Sequence, residues 1–71
     1  MTAQEFLTKM KEDVLDTEMD ITLDTPLGDI EEWDSLGVVT FIAMAKAACG
    51  KKVERTAIVN AKTLQDLYDL L

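Results

Sequence analysis

The sequence predicts a small all-α domain with three main helices, one short helix and a long first loop. Three segments repeat apolar residues at the three- and four-residue spacing of a helical face, and residues typical of helix ends flank them. No stretch alternates apolar and polar residues for long enough to indicate a strand. The 71 residues have room for one hydrophobic core, so residues 1–71 are expected to form a single domain.

The first helix is predicted to run from Ala3 to Leu15. Thr2 stands three residues before Glu5, which is the spacing of a capping box at a helix N-terminus. The predicted apolar face comprises Ala3, Phe6, Leu7, Met10, Val14 and Leu15. We assign Phe6 and Met10 to the core, together with Phe41 and Leu67 from the later helices.

Residues 16–34 are expected to form a long, ordered loop. Pro26 disfavours helical geometry at Thr25, and Gly28 adds a second break. Apolar residues are nevertheless spaced along the segment: Ile21, Leu23, Leu27, Ile30 and Trp33. Because a loop of this length is uncommon in a compact domain, these side chains indicate that it lies across the helical core, with Trp33 as an anchor.

The second helix is predicted to begin at Ser35, with the Ser35 hydroxyl as its N-cap. Gly37 lowers helix propensity in the first turn and would permit a close approach of the backbone. Gly50 is expected to end the helix in the left-handed conformation. The predicted apolar face comprises Leu36, Val39, Ile42, Ala45 or Lys46, and Cys49 as a small core residue, widened by Val38 and Phe41.

Two shorter stretches complete the chain. A short helix or turn is predicted from Thr56 to Asn60. The last helix is predicted to start at Thr63, with Asp66 as a shorter substitute for the glutamate of a capping box. Its apolar side comprises Leu64, Leu67, Tyr68 and Leu71.

The charge distribution argues against several classes of function. The chain has 14 Asp and Glu residues against 7 Lys and Arg, and residues 1–34 carry a net charge of −9. Proteins that bind nucleic acids or anionic membranes depend on basic groups, so neither partner is expected. No apolar run approaches the roughly 20 residues of a membrane span, so no stable membrane insertion is expected either. The acids between Glu12 and Asp34, where no basic residue occurs, form either a solvated loop that favours solubility or a surface that steers basic partners.

The residue types present argue against an enzyme and a metal site. The chain has no histidine, which removes Ser-His-Asp and Cys-His nucleophiles and the commonest metal ligand. Cys49 is the only cysteine, which excludes an internal disulfide and suits a cytoplasmic protein, and the first residues do not resemble a basic signal peptide. A calcium loop starting at Asp20 would place Thr25 and Pro26 where that loop needs glycine.

Ser35 is the only serine, and the tripeptide Asp34-Ser35-Leu36 taken alone indicates no more than a helix N-terminus. Residues 27–36, which read Leu-Gly-Asp-Ile-Glu-Glu-Trp-Asp-Ser-Leu, resemble the cofactor-attachment region of acyl carrier proteins. The resemblance covers essentially the whole chain. It includes the length, the acidity, the helix–long loop–helix order, the serine that opens the second helix, and the Thr-Leu-x-Asp-Leu start of the last helix.

The resemblance implies a four-helix bundle of acyl-carrier type. In that family the serine of the Asp-Ser-Leu motif receives 4'-phosphopantetheine from coenzyme A, so Ser35 would bear the arm between Asp34 and Leu36. The thiol of the arm would carry an acyl or aminoacyl group as a thioester, in fatty-acid, polyketide-like or related biosynthesis. The implied partners are a phosphopantetheinyl transferase, an acyl- or aminoacyl-loading ligase, and downstream synthases or transferases, and a monomer is expected.

The second helix departs from the pattern of many fatty-acid carriers, in which several acids follow the serine. From Ser35 to Val53 this chain has no acid. Partner docking is therefore expected to depend on acids ahead of the serine and on apolar contacts around it. The residues expected to dock partners are Glu31, Glu32, Trp33, Leu36, Val38 and Met44.

Two alternatives stay open from the sequence. The Trp-Asp-Ser-Leu-Gly stretch is similar to the Phe-Asp-Ser-Met-Gly type of D-alanyl carrier proteins, so fatty-acid, polyketide, peptide and D-alanyl pathways all fit. The chain could instead be a noncatalytic helical interaction module of the same fold without a prosthetic group, in which Ser35 is only a cap. Only a carrier is a substrate for a transferase and coenzyme A, and this difference separates the two.

Overall fold

The computed structural model describes residues 1–71, which form helices and turns without a β-strand. Helix α1 spans Ala3–Lys9 and passes directly into a π-helical turn over Met10–Val14, and a 3₁₀ turn occupies Leu27–Asp29. Helix α2 spans Ser35–Cys49, α3 spans Arg55–Val59 and α4 spans Leu64–Tyr68. The predicted all-α fold of four helices is confirmed, although α4 is as short as α3 and is not a third main helix.

The first helix covers the predicted residues up to Val14, with Leu15 as its C-cap, but its second half is wider than an α-helix. At its start the Thr2 hydroxyl accepts from the Glu5 amide at 3.1 Å, and the Glu5 carboxylate accepts from the Thr2 amide at 3.2 Å. The bond from the Thr2 amide lowers the pKa of Glu5 below its ordinary value. At the end the Leu15 amide reaches back five residues to the Met10 carbonyl, and this wider turn buries both side chains.

The long loop lies over the core, as predicted. Leu27 and Ile30 are buried in it, and Trp33 is partly buried against the same cluster. The loop is also tied to the start of α4 by backbone pairing, which the sequence pattern did not indicate. The Leu27 amide donates to the Lys62 carbonyl at 2.8 Å, the Gln65 amide donates to the Leu23 carbonyl at 2.8 Å, and Pro26 pairs with Thr63 in an isolated bridge.

The core joins all four helices, and Ile58 is the buried residue of α3. Phe6, Met10, Phe41 and Leu67, the four side chains assigned to it from the sequence, are all fully buried. The rings of Phe6 and Tyr68 lie with their centroids 5.1 Å apart, so the first and last helices contact each other directly.

The predicted apolar face of α2 is wrong in its first turns. Gly37, Phe41 and Ala45 are buried, whereas Leu36 is 73% exposed and Val39 is 55% exposed. Apolar residues surround this helix on nearly every side, so their spacing alone fits more than one face. The face that packs is the one on which Gly37 lets the preceding loop come close.

The end of α2 agrees with the prediction except at Cys49. Gly50 adopts a left-handed φ of 63°, and its amide donates to the Lys46 carbonyl at 3.0 Å. Cys49 is only partly buried, because it follows Ala45, the last residue of α2 that packs fully into the core. It lines a surface cleft, and its assignment to the core is therefore corrected.

Helix α4 begins with the predicted capping box. The Thr63 hydroxyl accepts from the Asp66 amide at 3.4 Å, and the Asp66 carboxylate accepts from the amides of Lys62 at 2.9 Å and Thr63 at 3.3 Å. The bonds to the carboxylate, first that from the Lys62 amide and then that from the Thr63 amide, lower the pKa of Asp66 below its ordinary value. The helix buries Leu64 and Leu67, as its apolar pattern predicts.

Candidate functional site

Ser35 is exposed at the first position of α2, but it does not cap the helix. Asp34 is the N-cap, because its backbone is extended and its Oδ1 accepts from the Gly37 amide at 3.1 Å. The predicted cap role of Ser35 is therefore wrong. Aspartate and serine cap helices about equally well, so two such residues in succession leave the choice to the backbone conformation.

The start of α2 presents hydrogen-bond donors beside the Ser35 hydroxyl. The amides of Gly37 and Val38 bond to Asp34, whereas those of Ser35 and Leu36 have no acceptor within the protein. Unpaired amides and the dipole of a 15-residue helix favour an anion at this end. A phosphodiester on the Ser35 oxygen would lie beside these donors, so the residues present fit a 4'-phosphopantetheine group.

Trp33 fixes the loop against the first turn of α2. Its ring meets Phe41 edge-on, with centroids 6.4 Å apart and the planes at 76°. A β-carbon on Gly37 would lie 3.2 Å from the Trp33 Cε3 atom and 3.5 Å from the Glu32 carbonyl oxygen. The glycine therefore permits the close approach that the sequence suggested, and the predicted anchoring role of Trp33 is confirmed.

The residues expected to dock partners differ in how far they are exposed. Glu31 and Glu32 are exposed ahead of Ser35, and Leu36 is exposed directly after it. Val38 and Met44 are partly buried against the core. The first three therefore share the Ser35 end of α2 with their side chains accessible, while the other two offer less surface.

The sequence pattern did not predict that two apolar residues are exposed on the surface. Val39 on α2 is 55% exposed and Val59 on α3 is 71% exposed. An apolar residue on an amphipathic helix is assigned to the core by default, and no signal in a single sequence distinguishes these two from their buried neighbours.

The one cleft in the structure is at the other end of α2. It has a volume of about 710 Å³ and is open to solvent. Its lining comprises Met1, Ala48, Cys49, Lys51, Tyr68, Asp69 and Leu71. Cys49 lies 14 residues after Ser35, which is about 21 Å along a helix axis, so the cleft does not adjoin the candidate site.

Neither a metal cluster nor a membrane span is found among the residues of the chain. No three Asp, Glu or Cys side chains come near enough together to share a metal ion. No helix combines the length and the apolar composition needed to cross a bilayer.

Comparison with known proteins assigns the chain to a family. The family described as phosphopantetheine attachment site matches residues 5–71, which include all four helices apart from the first two residues of α1. No curated protein and no solved structure gave a significant match. Domains of the matched family bear 4'-phosphopantetheine covalently and act as carriers that are not themselves enzymes. The chain therefore belongs to the phosphopantetheine attachment site family.

Proposed function

We propose that Ser35 is the residue that bears 4'-phosphopantetheine, and that the chain delivers an acyl or aminoacyl group between partner enzymes. The observation that carries this assignment is the position of the only serine. Its hydroxyl is exposed, makes no hydrogen bond within the protein, and lies at the N-terminus of the longest helix. Asp34 and Leu36 flank it and belong to the same motif.

The residues of this chain have a limited part in the attachment chemistry. The Ser35 oxygen forms a bond to the phosphorus of coenzyme A that bears the pantetheine, adenosine bisphosphate leaves, and the serine proton passes to the transferase. By the resemblance to carrier proteins, the base that takes this proton belongs to the transferase, so the absence of histidine from this chain is no obstacle to attachment. The attached group supplies a thiol that holds the cargo as a thioester. The free amides of Ser35 and Leu36 would stabilise the charge of the phosphodiester.

We further propose that partners dock on the Ser35 end of α2. Glu31 and Glu32 would steer a basic rim on the partner, and Leu36 would enter an apolar recess within that rim. Trp33, Val38 and Met44 would add smaller contact areas, since each is partly buried. The partners are a phosphopantetheinyl transferase, a loading ligase, and downstream synthases or transferases.

The lack of acids from Ser35 to Val53 supports a specialised carrier in place of a general fatty-acid carrier. Fatty-acid, polyketide-like, peptide and D-alanyl pathways remain candidates on this basis. A cytoplasmic location is supported by the single cysteine, Cys49, which can form no internal disulfide and so suits a reducing compartment. A monomer is supported by the high content of charged residues, which favours a soluble single chain.

Intact-mass measurement after incubation with coenzyme A and a broad-specificity transferase tests the proposal. The wild-type protein should gain the mass of one arm, and Ser35→Ala should gain none. Thr40→Val is the matched control, because Thr40 has the next hydroxyl along α2 and donates it to the Leu36 carbonyl. This variant should be loaded like wild type. Loading of Ser35→Ala would refute the assignment, and a folded wild-type protein that no transferase loads would favour a plain interaction module.

A further inference from the structure

Most basic residues of the chain lie in one segment. Five of the seven Lys and Arg residues are found within residues 46–62, where Glu54 is the only acid. Four of the five fall within ten residues and are exposed; these four, here named the cation cluster, are Lys46, Lys51, Lys52 and Arg55. The charge of the cation cluster is opposite to that of the acids between residues 12 and 34.

The backbone holds the cation cluster together at the end of α2. The Lys51 amide donates to the Ala45 carbonyl at 3.2 Å, so the chain folds back over the last turn of the helix, beside Lys46. Val53 is 7% exposed and fixes the next segment to the core. Helix α3 begins at Arg55 and contacts α2. The four cations therefore lie at the same end of α2.

The basic residues outside the cation cluster each have a carboxylate beside them: Lys9 has Glu5, Lys11 has Asp20 and Lys62 has Asp66. The Lys11–Asp20 pair is an ion pair of 3.4 Å. In the other two pairs, backbone amide bonds chiefly lower the pKa of the carboxyl, and the lysine charge lowers that pKa further.

The cation cluster has no such compensation. None of its four residues forms an ion pair. Lys51 lines the same cleft as Asp69, but the Asp69 carboxylate accepts from the Gln65 side-chain amide at 2.7 Å. Four exposed positive charges therefore remain available to a carboxylate from outside the chain.

The dipole of α2 explains only part of the cation cluster. A cation in the last turn of a helix offsets the negative end of the dipole, and Lys46 lies in that turn. Arg55 is instead the first residue of α3, where a cation meets the positive end of a helix. Stabilisation of helix ends therefore does not account for the position of Arg55.

The outer face of α2 joins the cation cluster to the Ser35 end. Leu36, Val39, Ala43 and Lys46 are all exposed, and their spacing of three or four residues places them on one face. Lys46 follows Leu36 by ten residues, which is about 15 Å along the helix axis. An interface of ordinary size covers about 800 Å² on each partner, or roughly 28 Å across, so one partner can contact both ends.

We propose that the cation cluster binds an acidic patch on the same partner enzyme whose basic rim receives the Ser35 end of α2. The inference rests on the docking surface proposed above. Opposite charges at the two ends of one helix face match a protein whose surface potential reverses over about 15 Å. Membranes and nucleic acids are negative throughout, so Glu31 and Glu32 would repel them, and the net charge of −7 opposes a second copy of the chain.

A surface with both signs of charge selects partners as well as attracting them. It fixes one orientation of the carrier, because the reversed orientation would place like charges in contact at both ends. It also disfavours enzymes whose docking surface is basic throughout, since the cation cluster would repel their far side. The cluster therefore adds specificity to the contact made around Ser35.

An acidic peptide is the probe that tests the cation cluster. Acetylated and amidated hexaglutamate is added to the isotope-labelled, unloaded protein, and amide resonances are followed by NMR. In about 0.1 M salt, charges more than about 10 Å apart are largely screened, so the acids at the Ser35 end have little effect on the peptide. Hexaglutamine is the uncharged control. We expect saturable shifts in residues 46–55 with hexaglutamate and none with hexaglutamine.

Two triple variants of equal net charge test whether the cation cluster is responsible. Each takes the net charge from −7 to −10: Lys46→Gln, Lys51→Gln and Lys52→Gln within the cluster, and Lys9→Gln, Lys11→Gln and Lys62→Gln outside it. The first variant should bind hexaglutamate about tenfold more weakly, because three exposed ion pairs together contribute about that factor. The second should bind like the wild type. Equal losses in both variants, or no saturable shift in the wild type, would overturn the inference.

Two further titrations identify other occupants. Shifts in residues 46–55 with phosphatidylserine vesicles, but not with hexaglutamate, would assign the cation cluster to a membrane and overturn the inference. The same shifts on concentrating the protein without peptide would assign it to a second copy, which also overturns it. Because the unloaded protein is used, a negative result leaves attachment at Ser35 untouched, and a failure of attachment is seen separately by intact mass.

Discussion

The N-cap of α2 gives a sharp prediction, because two adjacent residues could have filled it and only one does. Asp34→Ala removes the acceptor of the 3.1 Å bond from the Gly37 amide. Loss of an N-cap oxygen destabilises a protein by about 1 kcal/mol. For a domain of this size that lowers the Tm by about 4–8 °C. Ser35→Ala removes a hydroxyl without a hydrogen bond and should change stability by no more than about 0.5 kcal/mol.

Thermal unfolding followed by far-UV circular dichroism measures both effects. Asp34→Asn is the matched control, since it keeps a cap oxygen while removing the charge. Its Tm should be close to that of the wild type. This comparison separates the effect of the lost hydrogen bond from any relief of charge repulsion among the acids of residues 16–34. If Ser35→Ala lowers the Tm as much as Asp34→Ala does, the capping arrangement described for α2 is incorrect.

Three further predictions concern the packing and the caps. Gly37→Ala should shift the Trp33 emission while lowering stability by less than about 1 kcal/mol, because the gain in helix propensity offsets the displaced indole; unchanged emission would contradict the close contact. Phe41→Ala should cost about 3–5 kcal/mol in urea unfolding, which is much of the stability of a small domain, and a loss below about 1.5 kcal/mol would show that the core repacks. Asp66→Asn should be less stable than wild type at neutral pH. Because hydrogen bonds lower the pKa of Asp66 from 3.8, the stabilisation from its carboxylate is present above that value and is lost as the pH falls through the folded-state pKa. The two proteins should therefore converge in acid, and a difference that persists there would contradict the role of the charge.

Local signals in the sequence were reliable where a few neighbouring residues decide the structure. The capping boxes at Thr2 and Thr63 and the left-handed Gly50 appear where predicted. Each depends on residues within one turn of the chain, so no knowledge of distant contacts is needed. The spacing of apolar residues likewise predicted correctly that the chain is helical.

The misplaced features depend on contacts between distant residues or on backbone details. The buried face of α2 is selected by the loop that packs on it, and apolar residues on its other faces concealed the choice. The bridge between Pro26 and Thr63 joins segments far apart in sequence. The π-helical turn at Met10–Val14 accompanies the burial of Met10 and Leu15, and the apolar spacing in the sequence did not predict it.

The sequence predicted which residues belong to the candidate site better than it predicted how they are arranged. Ser35, Asp34 and Leu36 were identified from the sequence, but the capping role belongs to Asp34. The exposure of Leu36 at 73% supports its proposed contact with partners and contradicts its place on the predicted core face. Val39 was missed as exposed surface for the same reason.

The most direct test of the central claim is to locate the arm on the protein. Fragmentation mass spectrometry of the loaded wild-type chain can assign the added group to one residue. The chain has one serine and several threonines, so this measurement distinguishes Ser35 from every other residue with an aliphatic hydroxyl. The account predicts that the phosphodiester is on Ser35. An arm found on a threonine or on any other residue would contradict the account.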